Sequence, residues 1–156
     1  MSFSGKPTTF VEHIVENDGF WPNLSVVEFQ KGYRLPAEYL GEMLAADLTM
    51  AMIEVNTDLA AVKAKLMAAD VSNLEAAAGA TTPAEWTYAH KAMLYKRAVY
   101  ARAKASLLTQ FATVTRRESA ENTAKELPER SETFLAFSQE AVRLLQGRGR
   151  ITAALL

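Results

Sequence analysis

From residue 36 onward the apolar positions Leu40, Leu44, Leu48, Ala51, Val55, Leu59, Val62 and Leu66 recur at steps of three and four, the spacing of one stripe on a long helix. Pro36 suits the first turn of such a helix, where a missing N–H costs nothing. Glu38, Glu42 and Asp47 crowd its start and Lys63 and Lys65 its finish, as the helix dipole favours. A second row, Met43, Ala46, Met50, Ile53 and Ala60, predicts a further partner and so a helix at the centre of a bundle. Upstream, Ser25 and Glu28 have the spacing of a capping box, which predicts a short helix running towards Tyr33. Before it stand Phe20, Trp21 and Pro22, an aromatic pair stiffened by proline and suited to plugging the end of a core.

Residues 70–82 read as a loop, and Thr82, Pro83 and Glu85 give the start signal of a second long helix reaching about Arg117. On it Trp86, Met93, Tyr100, Leu107 and Val114 fall every seven residues. Beside them Leu94, Ala98, Ala101, Ala105, Leu108 and Ala112 form a face of smaller residues that another helix can approach closely. Residues 116–127 are polar and charged, and Pro128 predicts a break. A third helix carries Phe134, Phe137, Ala141, Leu144 and Leu145, with Gly147 placed as a left-handed cap. With no β-hairpin signal or internal repeat, the predicted class is all-α: a small bundle of three long helices plus a short N-terminal one. The expected organisation is a single domain, with an extended arm over 1–24, the bundle over 25–147 and a tail over 148–156.

Composition narrows the function more than the fold. The chain has 156 residues, 49% of them apolar, and a formal net charge of −1, so no global field marks nucleic acid or an anionic membrane as partner. The absence of cysteine excludes disulfides and thiolate chemistry and agrees with a reducing compartment. Residues 1–10 lack the apolar core of a signal sequence, and no run nears the roughly 20 apolar residues of a membrane span; the expectation is a soluble protein made inside the cell. Neither His13 nor His90 has a carboxylate or second histidine at metal-ligand spacing. No phosphate loop, nucleotide fingerprint, nucleophile elbow or His-Glu-x-x-His motif occurs, so neither enzymatic activity nor a cofactor or metal is expected.

One stretch is uneven. Between Trp86 and Arg117 there is no Asp or Glu, while Lys91, Lys96, Arg97, Arg102, Lys104, Arg116 and Arg117 are cationic. At 100° per residue Lys91, Arg102 and Arg116 share a polar stripe with Ser106, Thr109 and Thr113, whereas Arg97 and Lys104 point the other way. A solvated face with ion pairs to the acidic first helix explains the stripe most simply; a surface for a phosphate backbone is the other reading. Asn56, in mid-helix, is either exposed or a buried polar group that fixes how helices pair.

Taken in order, Phe20-Trp21-Pro22, Phe29, Arg34-Leu35-Pro36, Val55-Asn56 with Leu59, Tyr95, Arg97-Ala98-Val99, Ala103, Ala105, Leu107 and the tail after Gly147 form a pattern. It resembles the head completion (stabilisation) proteins, the gpL family, of temperate contractile-tailed phages, over almost the whole chain. The departure is the Gly-Arg-Gly-Arg run with its Ala-rich close, where the resemblance implies a more acidic, β-prone end. The resemblance implies a structural virion protein of the neck, assembled in the host cytoplasm. Such an adaptor binds the portal protein after DNA packaging, extends the DNA channel, stabilises the filled head and presents a platform to a tail-side connector protein. It further implies neighbouring copies in a ring matching a twelve-fold portal, non-specific contact with packaged double-stranded DNA, and no membrane.

In such a ring Lys91, Arg102 and Arg116 become channel-facing candidates, because cations repeated around a channel focus a positive field that a single chain lacks. Phe20, Trp21 and Pro22 either brace the bundle or touch the portal or an adjacent subunit. Arg148, Arg150, Ile151, Leu155 and Leu156 are candidate contacts with the portal or a neighbour, since an apolar end is costly in water and too short to build its own core. The alternative function is a DNA-binding packaging accessory of the small-terminase kind. The missing helix-turn-helix signal and the neutral charge count against it.

Overall fold

Val15 and Leu24 face each other across a short antiparallel ladder, β1 (Ile14–Val15) against β2 (Leu24–Ser25), with Ile14 opposite Ser25. The computed structural model describes residues 10, 12–37, 39–77, 87–111 and 130–149. Within them follow α1 (Val26–Gly32), α2 (Gly41–Asp58), α3 (Ala60–Ala68), α4 (Tyr88–Gln110) and α5 (Ser131–Leu145). The molecule is therefore mostly helical, as expected, but the hairpin corrects the reading of residues 1–24 as an extended arm. Its turn is built by Asp18, whose Oδ1 accepts from the N–H groups of Phe20 (3.0 Å) and Trp21 (3.1 Å), and by Gly19 at φ 83°. Asp-Gly is a strong hairpin dipeptide; strands of only two residues leave no alternating pattern to accompany it.

Ser25 caps α1 as its spacing predicts, its hydroxyl accepting from the Glu28 N–H at 3.1 Å. The return half of the box is absent, because Glu28 turns instead to Lys96 and Tyr100. Pro36 does not open the long helix. Its carbonyl closes a turn with the Tyr39 N–H (3.2 Å), and α2 starts at Gly41. Nor is the long helix continuous: Leu59, at φ −97° and ψ 5°, divides α2 from α3. The Asp58 carbonyl there accepts from Gln146 Nε2 at 3.0 Å, and Thr57 Oγ1 donates back to the Ile53 carbonyl at 2.8 Å. A side chain entering the hydrogen-bond ladder is an ordinary cause of a helix kink.

The central helix is α4. Its small residues Ala98, Ala101, Ala103 and Ala105 are buried, and α5 lies along it close enough for Ser138 Oγ to donate to the Ala98 carbonyl at 2.7 Å. On the other side α2 presents Leu44, Leu48, Ala51 and Val55 to the shared core, joined there by Leu59 at its end. The expectation that the first long helix is central is corrected: its second apolar row remains largely open. Thr87 begins α4 with a capping box in which His90 Nδ1 accepts from the Thr87 N–H at 3.4 Å, so this histidine has a structural task. The Thr82-Pro83-Glu85 start signal, Trp86, Val114 and Pro128 lie outside the described residues. Gly147 ends α5 at φ 74°, with Arg148 N–H donating to the Arg143 carbonyl at 2.8 Å and Gly147 N–H to Leu144 at 3.0 Å. That is the left-handed cap its position predicts.

Candidate interaction surface

Two of the three cations that the sequence offers to a phosphate backbone are engaged inside the fold. Lys91 is 1% exposed and its ammonium donates to the Ala77 carbonyl at 2.6 Å; burial pulls its pKa below the usual lysine value. Arg102 joins three elements: Nε donates to Ser138 Oγ on α5 (3.1 Å), Nη2 pairs with Asp58 (2.8 Å) and Nη1 approaches Glu54 (3.7 Å) on α2. Neither side chain is available to a channel, which corrects their assignment. Arg116 lies outside the described residues.

Phe20 and Trp21 are also interior, at 4% and 3% exposed, with Pro22 half-buried beside them. The Trp21 indole stacks on Tyr95 with ring centres 5.0 Å apart, and Phe20 meets Trp21 edge-on at 4.9 Å. Beneath them three polar side chains close a cycle. Asn17 Nδ2 donates to the Tyr95 hydroxyl (2.7 Å), which donates to Asn56 Oδ1 (2.6 Å), while Asn56 Nδ2 donates to Asn17 Oδ1 (2.9 Å). Asn56 is thus the half-buried, pairing alternative of its two readings, joining α2, α4 and the hairpin. Asp18 pairs with Lys63 at 2.7 Å. Burial raises the Asp18 pKa, but the Lys63 ammonium and the Trp21 and Phe20 N–H groups outweigh it and hold the carboxyl below its usual value. This corner is a structural joint in which Phe20 and Trp21 brace the bundle, while Pro22 keeps part of its surface open.

The open surface lies elsewhere. A groove of about 530 Å³ runs between α1 and α4, lined by Tyr33, Met93, Arg97 and Tyr100 among others. It shares Gly32, Tyr33 and Arg97 with a second hollow of about 330 Å³ bounded by Arg34, Phe134 and Phe137. The Arg97 guanidinium sits 4.7 Å above the Phe137 ring. On the groove's wall Glu28 accepts from Lys96 (2.9 Å) and from the Tyr100 hydroxyl (2.8 Å). Burial raises its pKa, but those two donors overcome it and set the carboxyl below the usual value. Opposite the buried row of α2, Ala46, Met50 (58% exposed), Ile53 (51% exposed) and Thr57 are exposed, and the strip continues through Ala60, Ala61 and Ala64 on α3. The sequence flagged this row as apolar yet assigned it a partner within the chain.

Among the described residues no three His, Cys, Asp or Glu side chains gather as metal ligands. No described helix is long and apolar enough to cross a membrane. Arg148 is exposed at the end of α5, and Arg150, Ile151, Leu155 and Leu156 lie outside the described residues. A family model described as phage head completion protein (GPL) matches residues 15–156. The chain is 34% identical over 154 residues, 99% of either chain, to a probable head completion/stabilization protein of Haemophilus phage HP1 (strain HP1c1). No solved structure matches.

Proposed function

The chain belongs to the phage head completion protein family, a structural and not an enzymatic one, and on that premise we propose that it is the adaptor between head and tail. In this reading it binds the portal after DNA packaging, extends the channel, stabilises the filled head and provides the platform on which the tail is joined. Copies of the chain form a ring on the portal. The observation that supports this most is the pairing of a near-complete family match with a described fold whose buried polar groups hold elements together. Among the described residues its open faces include the apolar row Met50 and Ile53 and the groove beside Tyr33 and Met93, both bordered by charge and of the kind that protein contacts use.

Contact with DNA in this reading is general and does not use Lys91 or Arg102, which are engaged within the fold; Arg116 is the one channel candidate of the stripe retained. The DNA-binding accessory reading loses its motivation, since Lys91 and Arg102 are committed within the fold. The tail residues Arg148, Arg150, Ile151, Leu155 and Leu156 act as the hook onto the portal, apolar side chains filling a groove and arginines meeting carboxylates at its edge.

Phage lacking this chain are expected to package DNA, lose it from the heads and accumulate unjoined tails, and purified protein added to fresh filled heads restores joining. Heads that hold DNA and accept tails without it contradict the proposal. A chain ending at Gly149, which keeps the cap of α5, is expected to melt like the full protein but not to attach. Attachment at the normal level shows the tail to be dispensable.

A further inference from the structure

The two open faces described above lie on opposite sides of the molecule. On α2 the buried row Leu44, Leu48, Ala51 and Val55 lies about 180° around the helix from Ala46, Met50, Ile53 and Thr57, so the exposed row points away from α4. On α4, Tyr95 and Arg102 reach towards α2, whereas Met93 (62% exposed) and Arg97 lie across the helix axis from them, at the groove. The two faces also differ in charge. Glu42 and Glu54 border the α2 row, Glu54 being more than half exposed and only 3.7 Å from Arg102 of its own chain, and Lys65 is the one exposed cation on the α3 part of the strip. Arg34 and Arg97 line the groove, and among the described residues neither arginine has a carboxylate partner. Arg34 is held towards this rim by a left-handed backbone, φ 56°.

We infer that the α2–α3 face of one copy seats in the α1/α4/α5 groove of the next copy, Met50 and Ile53 packing on Met93 and the aromatic floor while Glu54 meets Arg97. A second copy is the occupant because one chain carries both halves, each apolar and of opposite border charge. Face-to-face pairing of two α2–α3 rows sets acidic borders together, and groove-to-groove pairing sets arginines together; like charges in contact disfavour both. A contact between different patches on opposite sides of a subunit is heterologous, the kind that runs from copy to copy and closes as a ring when the rotation allows. A single helix face in a shallow groove is a small interface, so it is weak until a template raises the local concentration of copies. The inference rests on the adaptor reading only in that respect.

The chain has no cysteine, which makes thiol pairing a clean test. Virions carrying the Ile53→Cys and Met93→Cys double variant are mildly oxidised and run on a non-reducing gel. The expected result is a ladder of dimers and higher multiples of this chain that neither single variant produces. Adding Arg97→Glu reduces the ladder about tenfold, and Glu54→Lys in the same chain restores it, as a complementary pair requires. A chain present in the virion but remaining monomeric on oxidation overturns the inference. So do dimers from Ile53→Cys alone, which mark face-to-face pairing. Virions without the chain refute the adaptor reading, and the inference with it.

Discussion

Trp21 lies at the centre of one corner of the core, stacked on Tyr95 and edge-on to Phe20. Removing it by Trp21→Ala is expected to cost about 3–5 kcal/mol in urea unfolding, the range for large buried aromatics. Its Nε1 is buried without a hydrogen-bond partner, so Trp21→Phe, which deletes an unpaired donor along with area, is expected to cost less than half as much. Equal losses would mean that the indole nitrogen is paired after all. Two carboxyls at the same scale set the response to acid. Asp18 and Glu28 are both held below their ordinary values of 3.8 and 4.5. A depressed folded value means stability that is complete above the unfolded value and lost as pH falls through the folded one. The melting temperature is therefore expected to fall as pH drops below about 4.5, less steeply in a chain carrying Asp18→Asn and Glu28→Gln; parallel curves contradict this account. The aromatic pair was legible in the sequence as a core plug. The polar cycle was not, because Asn17, Asn56 and Tyr95 are joined by the fold and by no spacing along the chain.

Helices α3 and α5 end in the same left-handed cap, one at Asp70 (φ 60°) and the other at Gly147 (φ 74°). In each the following N–H returns to a carbonyl five residues earlier, Val71 to Leu66 and Arg148 to Arg143. The same backbone with different residues gives opposite expectations: Gly147→Ala costs about 1 kcal/mol, whereas Asp70→Gly stabilises by up to about 1 kcal/mol by relieving a side chain held at positive φ. Denaturant midpoints that move in the same direction for both would refute it. The Gly147 cap was readable because glycine after a periodic run is a stop signal. The end of α2 was not, since the device that divides it from α3 is Gln146, a residue 88 positions beyond Asp58. The cations of α4 were visible as a row, but periodicity reports direction and not whether a charge is already spent.

At the scale of the whole molecule the helical class and the family were both legible, the first from periodic apolar rows and the second from a scattered pattern in fixed order. Which face stays open was not, because an apolar row demands cover without saying whether the cover is the same chain or another. Met50 and Ile53 belong to that second kind on the account given above. With a net charge of −1 and a copy-to-copy contact limited to one helix face in one groove, the isolated protein is expected to sediment as a monomer at micromolar concentration and to assemble only on its template; a stable ring in the absence of portal contradicts this. Whether the chain is the adaptor on the portal can be read from electron cryo-microscopy of DNA-filled, tail-less heads reconstructed without icosahedral symmetry. The expected density is a ring of copies of this chain beneath the portal, enclosing the channel; a portal vertex bare of the chain, with its density on the capsid shell instead, would contradict that role.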